Sequence, residues 1–276
     1  MSDRLPRHKG VYILPNLFTT GSLFAAFLGL VWASEKAYEL CAMAIFFSAL
    51  LDGLDGKVAR LTGTSSEFGV QYDSLADLVA FGVTPAFMMY TMALYPYKRM
   101  GIAVAFLFAV CAALRLARFN VSTSVSSKRF FTGLPTPAAG CSLAIIVLIL
   151  PVMDAWFGPN LASIPAFIRN NFSFIGLCLT IFIGLLMVSR IRYAAFKEFG
   201  FLKAHPFRYM VFAILIFAGL VTYPRLGGFV LLYGYILSGF IYTFIILPRK
   251  NVVAKTLAET APVTAQNPMA KGQNND

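Results

Sequence analysis

Along the chain, apolar residues gather in runs of roughly twenty, the length that crosses a bilayer as a helix, separated by short polar or basic joints. Eight runs stand out, at approximately 13–33, 38–61, 68–94, 99–118, 138–157, 171–189, 207–222 and 227–247. No stretch shows the strict apolar/polar alternation of an outer-membrane barrel strand. The pattern predicts an all-α, polytopic transmembrane helical bundle of about eight spans. An even number of spans places both termini on one side. The first run follows Arg4, Arg7 and Lys9 but exceeds the ~7–15 apolar residues of a signal peptide, and no clear cleavage site follows it, so it is expected to be retained. Residues 1–12 read as a basic N-terminal segment, 13–250 as the membrane domain and 251–276, without hydrophobic periodicity, as a disordered tail.

Composition sharpens this picture. The chain has 276 residues, 58% of them hydrophobic and only 13% charged, and its mean hydropathy is +0.73. A soluble domain usually shows about 25% charged residues. A soluble enzyme, a secreted disulfide module and a disordered chain are excluded. The net charge of +11 does not imply nucleic acid, because the basic residues lie between apolar runs rather than on a soluble face. They serve as topology signals. With the N-terminus inside, only Lys36, Lys98, Arg99, Arg169 and Arg225 of the 23 Lys and Arg fall outside. The positive-inside rule therefore favours cytoplasmic termini and a multi-pass protein of the cytoplasmic membrane. Cys41, Cys111, Cys141 and Cys178 lie within apolar runs without metal-site spacing and read as buried thiols.

Residues 48–81 break the apolar pattern. Asp52, Asp55, Asp73 and Asp77 lie in or at the inner ends of spans two and three. An Asp at a helix centre costs about 2.5–3.5 kcal/mol on insertion scales, so such residues face a cavity or a partner and mark a function. Asp52 and Asp55 are i, i+3, and Asp73 and Asp77 are i, i+4, so each pair shares a helix face. A short joint at 63–66 makes the two helices antiparallel neighbours, and four carboxylates converge. They need cations, and oxygen ligands without His or Cys select Mg²⁺, Mn²⁺ or Ca²⁺ over zinc. Two divalent ions balance four negative charges. Gly56 and Gly69 leave room on the aspartate faces, and Arg60 lies within reach of a phosphate or of an Asp.

The run Asp52-x-x-Asp55-Gly56-x-x-Ala59-Arg60, followed by Gly69, Asp73 and Asp77, resembles the signature of the CDP-alcohol phosphatidyltransferase superfamily at every fixed position. The resemblance implies transfer of a phosphatidyl group from a CDP-linked lipid to an alcohol, with release of CMP and two divalent ions, Mg²⁺ or Mn²⁺. It assigns Asp52, Asp55 and Asp73 to metal, and Asp77 to metal contact and general base. Gly56, Ala59, Arg60 and Gly69 are similar to its nucleotide-binding positions. Three further segments, Leu14–Gly21, Arg115–Asn120 and Phe131–Pro137, resemble the phosphatidylserine synthase branch. That branch implies CDP-diacylglycerol and L-serine as substrates within membrane lipid, and a homodimer.

Under this reading Asn16 and Thr19 bind the cytidine or its phosphates, though both also suit a helix start marked by Pro15. Arg115, Arg118, Asn120 and Gly133 are candidate acceptor residues. A guanidinium fork matches the serine carboxylate or a phosphate, but both arginines also serve as positive-inside anchors. Arg190 and Arg192 either draw anionic lipid to the site or are ordinary inner-loop charges. Two alternatives remain open: the same chemistry on glycerol 3-phosphate, inositol phosphate or choline, and a cation transporter using the same acids.

Overall fold

The computed structural model describes residues 13–62, 66–123, 130–157, 171–194 and 218–243, with positions 211 and 214 between. The basic segment 1–12, the tail 251–276, most of the span expected at 207–222 and residues 124–129 between the fourth and fifth expected spans lie outside the described residues.

Helices dominate: α1 (Ile13–Ser34), α2 (Tyr38–Thr62), α3 (Glu67–Asp77), α4 (Thr84–Met89), α5 (Arg99–Thr123), α6 (Thr136–Phe157), α7 (Phe172–Val188) and α8 (Pro224–Ile241). Among the described residues four segments are long and apolar enough to cross a membrane, at Asn16–Ser34, Glu67–Tyr97, Arg99–Val121 and Pro224–Ile241, and two shorter apolar helices lie at Thr136–Val152 and Phe172–Val188. The regular structure of the described residues is helical except for one ribbon. In it β1 (Phe130–Thr132) pairs antiparallel with β2 (Arg192–Ala194), Phe131 opposite Tyr193. Gly133 and Leu134 extend the tie by donating to Ile191 O (2.8 Å) and Leu186 O (3.1 Å).

Small residues set how closely the helices approach. Ala25, Ala26 and Ala33 of α1 are buried, as are Cys41, Ala42, Ala44 and Ile45 of α2. A side chain at Gly29 would sit 3.5 Å from Ala44 Cβ, and Ser22 and Ser48 share a buried hydrogen bond of 2.6 Å. Between helices in lipid, where apolar surface alone gives no preference, such close packing and interhelical hydrogen bonds drive association. The opposite face of α2 exposes Leu40, Met43, Phe47, Leu50 and Leu54, as a membrane protein requires where it meets acyl chains.

The third span occupies the centre. Pro85 has no N–H and its ring would clash with the carbonyl one turn back, so the helix widens to a π-helical turn over Leu78–Val83. Thr84 N–H bonds Val79 O, while Thr84 Oγ1 bonds Val79 O (2.9 Å) and Ala26 O (3.2 Å). The backbone bond five residues back is what widens the turn, and the hydroxyl's second contact ties it to α1. Ala80, Phe81 and Gly82 are buried within the turn. Helix α6 reaches it through Gly140, whose absent Cβ would lie 2.9 Å from Phe81 Cα.

The sequence places α2 and α3 side by side. In the structure α3 packs chiefly on α1, while α1 also packs along α2. The first helix thus backs both aspartate helices and leaves a cleft between them. Helix α5 runs on to Thr123, beyond the expected 118, and α8 starts three residues earlier than expected because Pro224 suits the first helical turn.

Gly140→Ala forces a methyl against the Phe81 backbone, an overpacking that costs about 1–3 kcal/mol. The thermal midpoint of the purified protein in detergent is expected to fall. An unchanged midpoint would mean that α6 is free to back away from the central turn.

Candidate active site

Asp52, Asp55 and Asp73 each present a carboxylate oxygen, and the three oxygens lie within 4.8 Å of one another. Two come from the last turns of α2 and one from α3, so the spacing rule that set each pair on one helix face also sets the pairs facing each other. Asp77 completes the group. Its carboxyl comes within hydrogen-bonding reach of Asp52, and it is the last residue before the widened turn.

The surroundings hold this geometry from α1. Thr19 is buried and donates from Oγ1 to Asp55 Oδ2 at 2.8 Å, and Asp55 is the most buried of the four acids, only 5% exposed. Thr20 Oγ1 pairs with Tyr72 OH at 2.9 Å, fastening α1 to α3 beside Asp73. Asn16 Oδ1 would lie 3.5 Å from a Cβ at Gly69, and Gly69 N–H donates to Ser66 Oγ (3.0 Å), the cap that starts α3.

The donor set fits a hard divalent ion. It is all carboxylate oxygen, draws on two helices, and spans the distance that one or two such ions bridge. Carboxylates this close in a medium of low dielectric repel one another, and no Lys or Arg forms an ion pair with any of the four among the described residues. Arg60 does not neutralise them. It is exposed, and its Nε bonds back to Gly56 O at 2.8 Å, laying the guanidinium over the open face that Gly56 provides.

The remaining candidates separate. Ala59 lies on the α2 backbone between Gly56 and Arg60. Arg115 reaches the site: its Nη1 donates to buried Thr136 Oγ1 at 2.8 Å, and it interacts electrostatically with Asp77. Arg118, one turn further along α5, is exposed. Asn120 uses its amide on α3, donating to Ser74 Oγ (3.0 Å) and Gln71 Oε1 (3.3 Å), and so ties α5 to the aspartate helix. Gly133 is buried with φ +85°, and a Cβ there would collide with Met187 O, so glycine is needed where the ribbon turns into α6. Arg190 lies at the joint between α7 and β2, and the Arg192 backbone is in β2.

Sequence reasoning missed Thr20, Tyr72, Ser74 and Thr136. Each adjoins a residue or segment already singled out, so the signal was proximity in the chain. Tyr235, which interacts electrostatically with Arg115, had no signal, because it lies on α8 in a stretch of general hydrophobicity.

Comparison with known proteins shows the family. The family model for CDP-alcohol phosphatidyltransferase matches residues 12–182. A CDP-diacylglycerol–serine O-phosphatidyltransferase of Helicobacter pylori is 37% identical over 242 residues, covering 87% of this chain and 97% of the relative. An enzyme of the same name from Bacillus subtilis is 31% identical over 185 residues, covering 67% of this chain and 92% of its own. Another, from Methanocaldococcus jannaschii, is 33% identical over 181 residues, covering 66% and 73%.

Replacing Asp73 by Asn removes the only α3 ligand of the three-carboxylate set. Calorimetric titration with Mn²⁺ is expected to show affinity lowered by roughly tenfold or more, the size expected for losing a charged ligand of a hard cation. Wild-type affinity in this variant would mean that the two helices do not share an ion.

Proposed function

The chain belongs to the CDP-alcohol phosphatidyltransferase family, and on that premise we propose that it transfers the phosphatidyl group of CDP-diacylglycerol to the hydroxyl of L-serine, giving phosphatidylserine and CMP. The observation that carries this reading is the meeting of the motif carboxylates of α2 and α3 in one cleft. Names of relatives spanning nearly their full length supply the acceptor.

Residues of this chain divide the work. Asp52, Asp55 and Asp73 would hold two divalent ions, Mg²⁺ or Mn²⁺, with Asp77 contacting one of them. When bound, such ions neutralise the diphosphate of the donor and the charge that develops on the departing CMP. Gly56 and Gly69 keep the cleft open to the nucleotide, Ala59 belongs to the same stretch, and Arg60 over Gly56 pairs with a phosphate. Asn16 and Thr19, at the start of α1, line the same end. Thr19 already holds Asp55, so its first role is to fix a ligand.

Asp77 is placed to take the serine hydroxyl proton as the oxygen attacks the β-phosphorus, the one bonded to diacylglycerol. The new P–O bond to serine forms while the P–O bond to CMP breaks, and the electron pair leaves with CMP. An alcohol of high pKa requires a base within hydrogen-bonding reach, and among the four acids Asp77 is the one facing Arg115. Arg115, with Arg118, Asn120 and Gly133 around the end of α5 and the start of α6, forms the acceptor side. Asn120 and Gly133 act by holding α5 and α6 in place.

Further parts of the reading concern the whole molecule. Residues 13–250 form a membrane domain of about eight spans between the basic segment 1–12 and the tail 251–276. Both termini and the site face the cytoplasm in the inner membrane, and the protein works as a homodimer. Donor lipid enters sideways from the inner leaflet while serine arrives from water. A cation path fits less well: the acids crowd one end of the bundle rather than its middle, and the family match covers the helices that carry them.

An acceptor panel tests the reading. Purified protein supplied with CDP-diacylglycerol and Mn²⁺ is expected to release CMP with serine and not with glycerol 3-phosphate, inositol phosphate or choline. CMP release with one of these but not with serine would move the protein to another branch, and ion flux without CMP release would make it a transporter. Asp77→Asn is expected to lose turnover by roughly a hundredfold or more, the usual scale of a general base, while still binding CDP-diacylglycerol. Substantial residual turnover would remove Asp77 from that role.

A further inference from the structure

Arg115 is held by one nitrogen and unmet at another. Its Nη1 donates to Thr136 Oγ1 at 2.8 Å, and Thr136 is fully buried. Its Nε–H is buried and meets no acceptor among the described residues. Buried donors are nearly always paired, and an unmet one on a charged group is costly, so an acceptor from outside the chain is the physical expectation. In a guanidinium the Nε–H points along the same edge as Nη2 and away from Nη1, so a bond to Nη1 orients the fork without occupying it.

Contacts between helices place this pair at the level of the carboxylates. Asn120 Nδ2 donates to Ser74 Oγ at 3.0 Å, and a Cβ at Gly82 would stand 3.0 Å from Ala112 Cβ, which sets α5 antiparallel to the third span. Asp77 lies between Ser74 and Gly82, and Arg115 between Ala112 and Asn120, so both fall in the stretch that the two contacts enclose. Helix α6 runs alongside in the direction of the third span: Gly140 abuts Phe81, and further on Val147 and Met92 line one cavity. Thr136 stands one turn before Gly140, as Asp77 stands one turn before Phe81. The chain also fixes Thr136 from both sides. Gly133 and Leu134 donate to Ile191 O and Leu186 O, Ala139 N–H bonds Pro135 O, and Pro135 and Pro137 flank the threonine with restricted φ. Its hydroxyl is a preset acceptor, to which Arg115 conforms.

We propose that Thr136 is a positioning residue: by taking Nη1 of Arg115 it turns the Nε edge of the guanidinium toward the acceptor, so that the edge meets the acceptor carboxylate. The proposal rests on the reading of serine as acceptor. A carboxylate matches a guanidinium edge with two parallel bonds, and it supplies the anion that Arg115 lacks at contact distance among the described residues. Without the threonine hydroxyl the long arginine side chain is free to rotate, and the fork has to be ordered at each binding event. A group that orients a substrate is effective only when its own rotamer is locked by its neighbours. Thr136 touches no substrate in this scheme and acts through Arg115 alone.

The test is CMP release by the full-length protein in lipid–detergent micelles, with L-serine and CDP-diacylglycerol varied in turn. Thr136→Val, which keeps the shape and removes the hydroxyl, is expected to raise the KM for L-serine roughly tenfold, the scale of one hydrogen bond to a charged group. The KM for CDP-diacylglycerol stays within about twofold. Thr136→Ser restores the hydroxyl and brings the L-serine KM back to within about twofold of wild type. In an Arg115→Lys background, where no Nη1 exists, Thr136→Val adds no further rise, because the two residues act as a unit. Thr136→Ala replaces the valine variant if that one does not fold, with the same outcomes. An unchanged L-serine KM without the hydroxyl overturns the proposal. So does a tenfold rise in Thr136→Ser, which would assign the effect to the methyl group, and so does an equal rise in both KM values or a further rise in the Arg115→Lys background. A wild type that uses another alcohol and not L-serine overturns the acceptor reading itself, before any variant is compared.

Discussion

Four carboxylates held together at one end of an apolar bundle are the constraint around which the molecule is arranged. In water their repulsion would be slight, but between membrane helices it is large and unscreened. Helices α2 and α3 place the acids in one cleft, α1 packs behind both, and the Thr19–Asp55 bond fixes the deepest of them. Among the described residues no Lys or Arg forms an ion pair with any of the four. Under the proposed function the balance would come from divalent ions, whose remaining charge is met by the anionic diphosphate of the donor lipid.

The widened turn after Asp77 belongs to the same design. Pro85 prevents a regular helix through the centre of the bundle, and the Thr84 hydroxyl ties the widened turn to Ala26 O of α1. Gly82 and Gly140 let α5 and α6 come against the turn. These two helices carry Arg115 and Thr136, so under the proposed function the packing that accommodates the break also brings the acceptor side to the donor side. On that reading, donor chemistry draws on the first three spans and acceptor recognition on the end of α5 and the start of α6.

Much of this was legible in the residues. Aspartates at i, i+3 and i, i+4 fall on a single helix face by geometry alone, and their cost in a membrane marks them as functional. The ends of α1, α2, α6 and α7 follow the apolar runs within a few residues because transfer from water sets those boundaries. What was not legible depends on contacts distant in sequence. No periodicity says that α1 is the principal neighbour of α3, that Asn120 spends its amide on Ser74 and Gln71, or that Arg115 turns inward while Arg118 stays exposed. The ribbon of Phe130–Thr132 with Arg192–Ala194 pairs segments some sixty residues apart, beyond the reach of local pattern.

Electron paramagnetic resonance of the Mn²⁺-loaded protein with CDP-diacylglycerol bound addresses the central claim most directly. Ions gripped jointly by α2 and α3 against the donor predict dipolar coupling between two manganese centres a few ångströms apart, together with a phosphorus hyperfine coupling from the diphosphate. Isolated manganese centres with no phosphorus coupling would contradict the claim.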